Sequence, residues 1–210
     1  MNMKKFMSII LVVLMGMGAA MAQNISLPAP SKTGGKTTIE TLWNRASGTE
    51  FSSRMLSAQD LSNLLFAATG VNRENGKLTS PTASNRQEIR VFVFTGEGVC
   101  EYLNSENSLR PVVTGDHRDL IAGRQDWVKT APVIILLVAD EDKFGRNDER
   151  SKVVMGVDAG IVSENINIFC AGTGLVTRPR MSMDTPAIKD LLGLGETQTP
   201  LLNNPVGYSK

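Results

Sequence analysis

Ile89-Arg90-Val91-Phe92-Val93-Phe94-Thr95-Gly96-Glu97-Gly98-Val99-Cys100-Glu101-Tyr102-Leu103 decides the fold class. Its first arm alternates and is rich in β-branched and aromatic residues, which suits a strand. The Thr95–Gly98 segment then turns the chain back into Val99–Leu103, so an antiparallel hairpin is expected. A hairpin in a chain that also carries helices argues for α+β, not for a doubly wound parallel sheet. Downstream, Val133–Ala139 is a continuous apolar run behind Pro132 and predicts a central strand buried on both faces.

Helices are expected on either side of these strands. Over Ala58–Thr69, Leu61, Leu64, Leu65 and Ala68 recur at helical spacing. Ser57 and Asp60 read as a capping box, and Gly70 as a left-handed stop. A shorter helix is predicted over Thr38–Ala46, burying Ile39, Leu42 and Trp43. Val153–Gly172 is the longest apolar stretch after residue 22, and its length favours a helix. Gly156, Ala159, Gly160, Ala171 and Gly172 imply close approach by another backbone. Burial nearly all round would make it a central helix or a dimer seam. Leu175–Thr177 reads as a short strand. Thr185-Pro186 opens a last helix that Gly193 closes.

The chain has 210 residues, 41% of them hydrophobic, and a formal net charge of +1. Met1–Ala22 combines Lys4 and Lys5, an apolar core and the small-x-small end Ala20-Met21-Ala22. That is the anatomy of a secretory signal peptide, so an exported, soluble, periplasmic protein is expected. Residues 23–36 read as an extended leader and 37–210 as one domain. Near-neutral charge with no basic block argues against nucleic-acid binding. No later apolar run approaches the ~20 residues of a membrane-spanning helix. Cys100 and Cys170 both sit in apolar stretches and read as buried thiols; spacing alone does not show whether they pair. With His117 as the one histidine, no metal site is expected.

Three segments stand out chemically. Arg45-Ala46-Ser47-Gly48-Thr49-Glu50-Phe51 offers a cation, hydroxyls and a glycine, the donors that a phosphate monoester needs. Ser80-Pro81-Thr82-Ala83-Ser84-Asn85-Arg86-Gln87 is a polar loop whose amides and hydroxyls could read the edge of a heterocycle. Gly172-Thr173-Gly174-Leu175 joins the long helix to the next strand but lacks the dinucleotide fingerprint. Taken singly, each also reads as ordinary turn chemistry.

Taken in order, the motifs resemble the nitroreductase-like flavoprotein family, nearest to its SagB-type thiazole/oxazole dehydrogenase branch. They are Arg45-x-Ser47-x-x-x-Phe51, Leu56-Ser57-x-x-Asp60-Leu61, Pro81-Thr82-Ala83-Ser84-Asn85-x-Gln87, Ala131–Ile135, Asp158-Ala159-Gly160-x-x-x-Glu164-Asn165, Gly172-x-Gly174-Leu175 and Pro205-Val206-Gly207-Tyr208. The resemblance implies a mostly antiparallel sheet flanked by helices in a homodimer, with flavin mononucleotide (FMN) at the interface. It further implies that Arg45, Ala46, Ser47 and Thr49 lie at the phosphate and ribityl chain. Pro81, Thr82, Ala83, Ser84, Asn85 and Gln87 would come from the other subunit. Gly172, Gly174 and Leu175 would pass near the ring. Thr49 stands where the family often has arginine or lysine, and Lys210 is the nearest stand-in for a later basic phosphate ligand. A flavin carries the hydride chemistry, so no acid, base or nucleophile is assigned. The expectation is an exported oxidoreductase acting on a small molecule (a nitroarene, a quinone or an azoline-type ring), supplied with electrons by a membrane or protein partner. The alternatives are a degenerate flavin- or ligand-binding member without turnover, and an interaction protein that keeps only the fold.

Overall fold

In the computed structural model, which describes residues 23–210, seven strands form one sheet. They are β1 (Ile25–Ser26), β2 (Ile89–Phe94), β3 (Gly98–Leu103), β4 (Ser108–Thr114), β5 (Val133–Asp140), β6 (Leu175–Thr177) and β7 (Gln198–Tyr208). Their order is β1-β4-β3-β2-β5-β7-β6, and every neighbouring pair is antiparallel. The expected hairpin is the β2–β3 pair, with Phe94 opposite Val99. The signal-peptide expectation falls on residues 1–22, outside the described part of the chain.

β5 explains why its sequence is apolar without a break. Val133, Ile135, Leu137 and Ala139 enter one core; Ile134, Leu136 and Val138 enter the other. The first core is covered by α2 (Ala58–Thr69) and by α5 (Glu149–Thr173), which follows α4 (Glu141–Phe144). The second lies under α3 (Arg118–Ala122) and α6 (Thr185–Leu192), with Phe51, Ile121, Val128 and Ile188. The sheet is thus sandwiched between helical layers. Alternate side chains of one strand serve both layers, because the strand period is two.

β7 carries no apolar signature, since Asn203 and Asn204 are fully buried within it and Pro200 and Pro205 interrupt it. The prolines pair with β5 at positions that β6 does not reach, where no ladder donor is needed on the outer side.

Several helix ends differ from expectation. The capping box belongs to α1 (Thr38–Asn44), where the Thr37 hydroxyl and Glu40 satisfy one another's backbone N–H. At α2 the Ser57 hydroxyl accepts from Asp60 N–H, but the Ser57 N–H donates to the Tyr208 hydroxyl at 3.2 Å. Tertiary contact with β7 has replaced the second arm of the box. Gly70 is extended (φ −68°), not left-handed; a Cβ there would lie 2.2 Å from the Phe66 ring. Asp184, one residue earlier than expected, caps α6.

Two burial expectations fail. Ile39, Leu42 and Trp43 of α1 are exposed, Trp43 by 87%, and Thr41 is the one buried residue of that helix. On α5, Val153 and Val157 are exposed, and Gly156 and Gly160 face open space. The opposite face of α5 is buried, with Met155, Ala159, Val162, Ile166 and Cys170 in the core. At 25 residues α5 is long and apolar enough to cross a membrane by length and composition, which the sequence reading missed. Here it covers the sheet and buries Ser151, Asp158, Ser163 and Asn167 as well.

Both cysteines are free thiols. Cys170 is buried as expected, Cys100 is half-buried on β3, and desolvation raises the pKa of each.

Candidate active site along helix α5

The leader is not a free arm. Pro28 carbonyl accepts from Ser62 Oγ (2.6 Å) and Asn107 Nδ2 (2.8 Å), and Gln59 Nε2 donates to the Ala29 carbonyl. Lys36 N–H then bonds the Gly172 carbonyl at 2.9 Å. Pinned this way, residues 31–36 wall a cleft of about 730 Å³ whose far side is Asp60, Asn63, Phe66, Phe169 and Gly172–Gly174. That volume lies within the ~300–1,000 Å³ typical of small-molecule sites.

A second recess, about 270 Å³, adjoins the first through Lys36. Arg45, Ala46, Ser47 and Gly48 line it, opposite Asn167, Cys170, Leu175 and Thr177. The segment is seated by backbone contact, because Gly48 N–H donates to the Thr177 carbonyl at 3.1 Å. A Cβ at Gly48 would come within 2.4 Å of Val176, so only glycine permits this approach. The capping residue Arg45 is exposed, and its side chain makes no hydrogen bond or ion pair among the described residues. Thr177 Oγ1, buried in the recess wall, also lacks a partner among the described residues. The carbonyl end of α5 points here and repels anions, so an anionic ligand depends on Lys36 and Arg45.

The Pro81–Gln87 loop lies elsewhere. Pro81, Thr82 and Asn85 line a separate recess of about 200 Å³ with Arg73, Lys77 and Ser80. The loop is strapped from several sides. Ala83 N–H donates to Asp158 Oδ2 (2.9 Å), Gln87 N–H to Thr82 Oγ1 (2.9 Å), and Gln87 Nε2 to the Gly76 carbonyl (3.0 Å). Ser84, Asn85 and Gln87 all have positive φ, between 53° and 54°. A left-handed conformation costs a non-glycine residue about 1–2 kcal/mol. Several such residues in one loop are the kind of strain that surrounding contacts hold at functional sites.

The structure therefore gathers Arg45, Ala46, Ser47 and Leu175 into one recess, with Gly172 and Gly174 at the adjoining cleft. It does not bring the Pro81–Gln87 loop to them. The loop is tied to α5 at Asp158 and the recess touches α5 at Asn167–Ala171, some 14–20 Å further along at ~1.5 Å per residue. Thr49 and Lys210 line neither space, and part of the Gln87 amide is already used on Gly76. Lys36, Asn167 and Thr177 escaped the sequence reading, because only folding sets them beside Arg45. Buried Asp158 did leave a signal, as one of the few residues, with Glu164, Asn165 and Asn167, that break the long apolar stretch.

An antiparallel sheet between helical layers, with a polar cleft at the end of its covering helix, is the architecture of the nitroreductase fold. The chain belongs to the nitroreductase family, whose model matches residues 43–208. Members of that family are, in general, flavin-dependent oxidoreductases. MJ1384 of Methanocaldococcus jannaschii, named for the nitroreductases, is 28% identical over 178 residues, 80% of this chain and 89% of its own. The crystal structure of a nitroreductase homologue from Ralstonia eutropha superposes with TM-score 0.84 at 30% identity, covering 91% of each chain. The fold is further shared with an NADPH:FMN oxidoreductase of Vibrio harveyi (TM-score 0.64, 18% identity, 83% of this chain and 70% of that one).

Proposed function

We propose that the protein is an exported, FMN-dependent oxidoreductase that works as a homodimer on a small-molecule acceptor. The observation that carries this reading is the division of the site. One chain holds an unpaired cationic recess and a rigid polar loop in separate spaces, anchored on α5 roughly 14–20 Å apart. The face of α5 beside the loop's anchor (Val153, Gly156, Val157 and Gly160) is uncovered. A second copy packed there would bring its own loop to the first copy's recess, and the exposed Ile39, Leu42 and Trp43 would extend the contact.

The residues present fit the cofactor. The free guanidinium of Arg45, the Lys36 ammonium and the Ser47 hydroxyl supply charge and directed donors for the phosphate. Gly48 keeps the backbone low enough to admit it. From a second copy, the backbone and side chains of Thr82–Asn85 would meet the polar edge of the ring, already fixed by their internal bonds. Bound FMN supplies the hydride and electron transfer; the chain's part is to bind it, orient it and leave one face of the ring accessible. The lysines Lys4 and Lys5 and the apolar core after them support export, with Gln23 as the mature N-terminus. Outside the cytoplasm, electrons would come from a membrane or protein partner. The order of the motifs supports the SagB-type branch, and a nitroarene, a quinone or an azoline-type ring as acceptor.

The absorption spectrum and light-scattering mass of the purified protein test this together. A flavin spectrum on a dimer is expected. A colourless protein that does not take up added FMN would overturn the reading, as would a monomer carrying a full complement of flavin.

A further inference from the structure

Glu88 follows the strapped loop directly and opens β2. It is completely buried, and neither carboxyl oxygen has a hydrogen-bond partner among the described residues. An ionised carboxylate left this way would carry a large desolvation penalty. The groups that face it are few. Asp158, on α5, presents its carboxyl within hydrogen-bonding reach, and Arg86 of the loop is the cation that acts on it among the described residues. From β5, Asp140 offers only its backbone N–H, to the Glu88 carbonyl at 3.1 Å. Asp158 is itself buried and is the residue whose Oδ2 receives the Ala83 N–H.

Two buried carboxyls in contact cannot both be ionised without strong repulsion; one proton shared between them removes the repulsion and fills an empty acceptor. We infer that Glu88 is the positioning residue of the Pro81–Gln87 loop: it is protonated in the folded protein and donates its O–H to Asp158, which fixes the Asp158 oxygen that holds Ala83. Burial and the neighbouring Asp158 also push the Glu88 carboxyl up to about 7. When the proton leaves to solvent above that pH, Asp158 faces a like charge and the loop loses its anchor. The inference deepens the flavin reading, because it matters to the cofactor only if this loop completes a flavin site.

The sign is fixed by linkage. Glu88 binds its proton more tightly folded than unfolded, so its contribution to stability is full below the ordinary glutamate range and is lost as pH rises through about 7. The test uses purified protein, its Glu88→Gln variant, which keeps a neutral donor at every pH, and Asp158→Asn, which removes the like charge. Amide-exchange protection of Ala83 is measured from pH 5.5 to 8.5 without flavin, and FMN affinity over the same range. Protection in the parent should fall above about pH 7, stay level in Glu88→Gln, and fall only at higher pH or not at all in Asp158→Asn, because the repulsion is gone. FMN affinity should weaken with the same midpoint in the parent, by up to about tenfold per pH unit, and lose that component in Glu88→Gln. The phosphate's own ionisation near pH ~6 is common to all three and cancels. Equal pH profiles of Ala83 protection in the parent and Glu88→Gln overturn the inference, even if the variant melts earlier. If Glu88→Gln does not fold, the parent against Asp158→Asn decides: no difference between their profiles overturns it. If protection behaves as expected and FMN affinity does not follow, the pair stands and the flavin role of the loop is wrong.

Discussion

The two halves of the site are built in opposite ways. Arg45–Ser47 is exposed, the segment is held by backbone bonds at its two ends alone (Arg45 N–H to the Thr41 carbonyl, Gly48 N–H to the Thr177 carbonyl), and its guanidinium has no partner among the described residues. Thr82–Gln87 is tied to α5, to the preceding turn and to itself, and is held in strained φ. The first can adapt to a charged ligand, for which position matters less than charge. The second is preorganised, which suits donors and acceptors that must meet the fixed edge of a ring. A long helix separates them, so on the proposed reading each half is completed by a second copy, the adaptable half meeting the rigid one across the seam.

The largest effect expected comes from breaking the proposed seam. Trp43→Glu puts a charge in the exposed apolar patch of α1 and should turn a dimer into a monomer. Because each site would need both copies, flavin should leave as well, and light scattering with absorbance reads both at once. Retention of dimer and flavin would show that the halves do not meet across this face.

Next comes the adaptable half. Arg45→Ala should weaken FMN binding by one to two decades, matching a charge-assisted contact of about 1.5–3 kcal/mol. Flavin fluorescence quenching at fixed salt measures it, with circular dichroism as the check on folding. An unchanged affinity removes the phosphate assignment.

The rigid half is tested in the other direction. Ser84→Gly relieves a φ of 53° that glycine adopts freely, so the fold should gain up to about 1 kcal/mol in denaturant unfolding while FMN binding weakens. If stability rises and binding is unchanged, the Ser84 side chain has no part in the site. The smallest effect belongs to Thr49, half-buried and lining neither space: Thr49→Ala should cost about 1 kcal/mol of binding or less. Thr49→Arg tightens FMN only if this position faces the phosphate.

The amino-acid sequence by itself determined the elements whose periodicity is strong. The β2–β3 hairpin, the doubly buried β5, the apolar stripe of α2 and the proline-led α6 follow from local pattern, because one or two strand or helix faces must be apolar wherever the core lies. It also marked Arg45 and the polar loop as chemically distinct. The structure alone decided the rest. β7 lacks an apolar pattern, and its place beside β5 is set by the ladder and by buried asparagines. Ile39, Leu42 and Trp43 look like core residues from their spacing, since hydrophobicity reports that a face is to be covered, not whether its own chain or another copy covers it. The meeting of Glu88 with Asp158, 70 positions apart in sequence, has no local signal at all. It arises because the end of the loop and the middle of α5 are packed together on one face of the sheet, and burial then gives two ordinary carboxyls an uncommon chemistry.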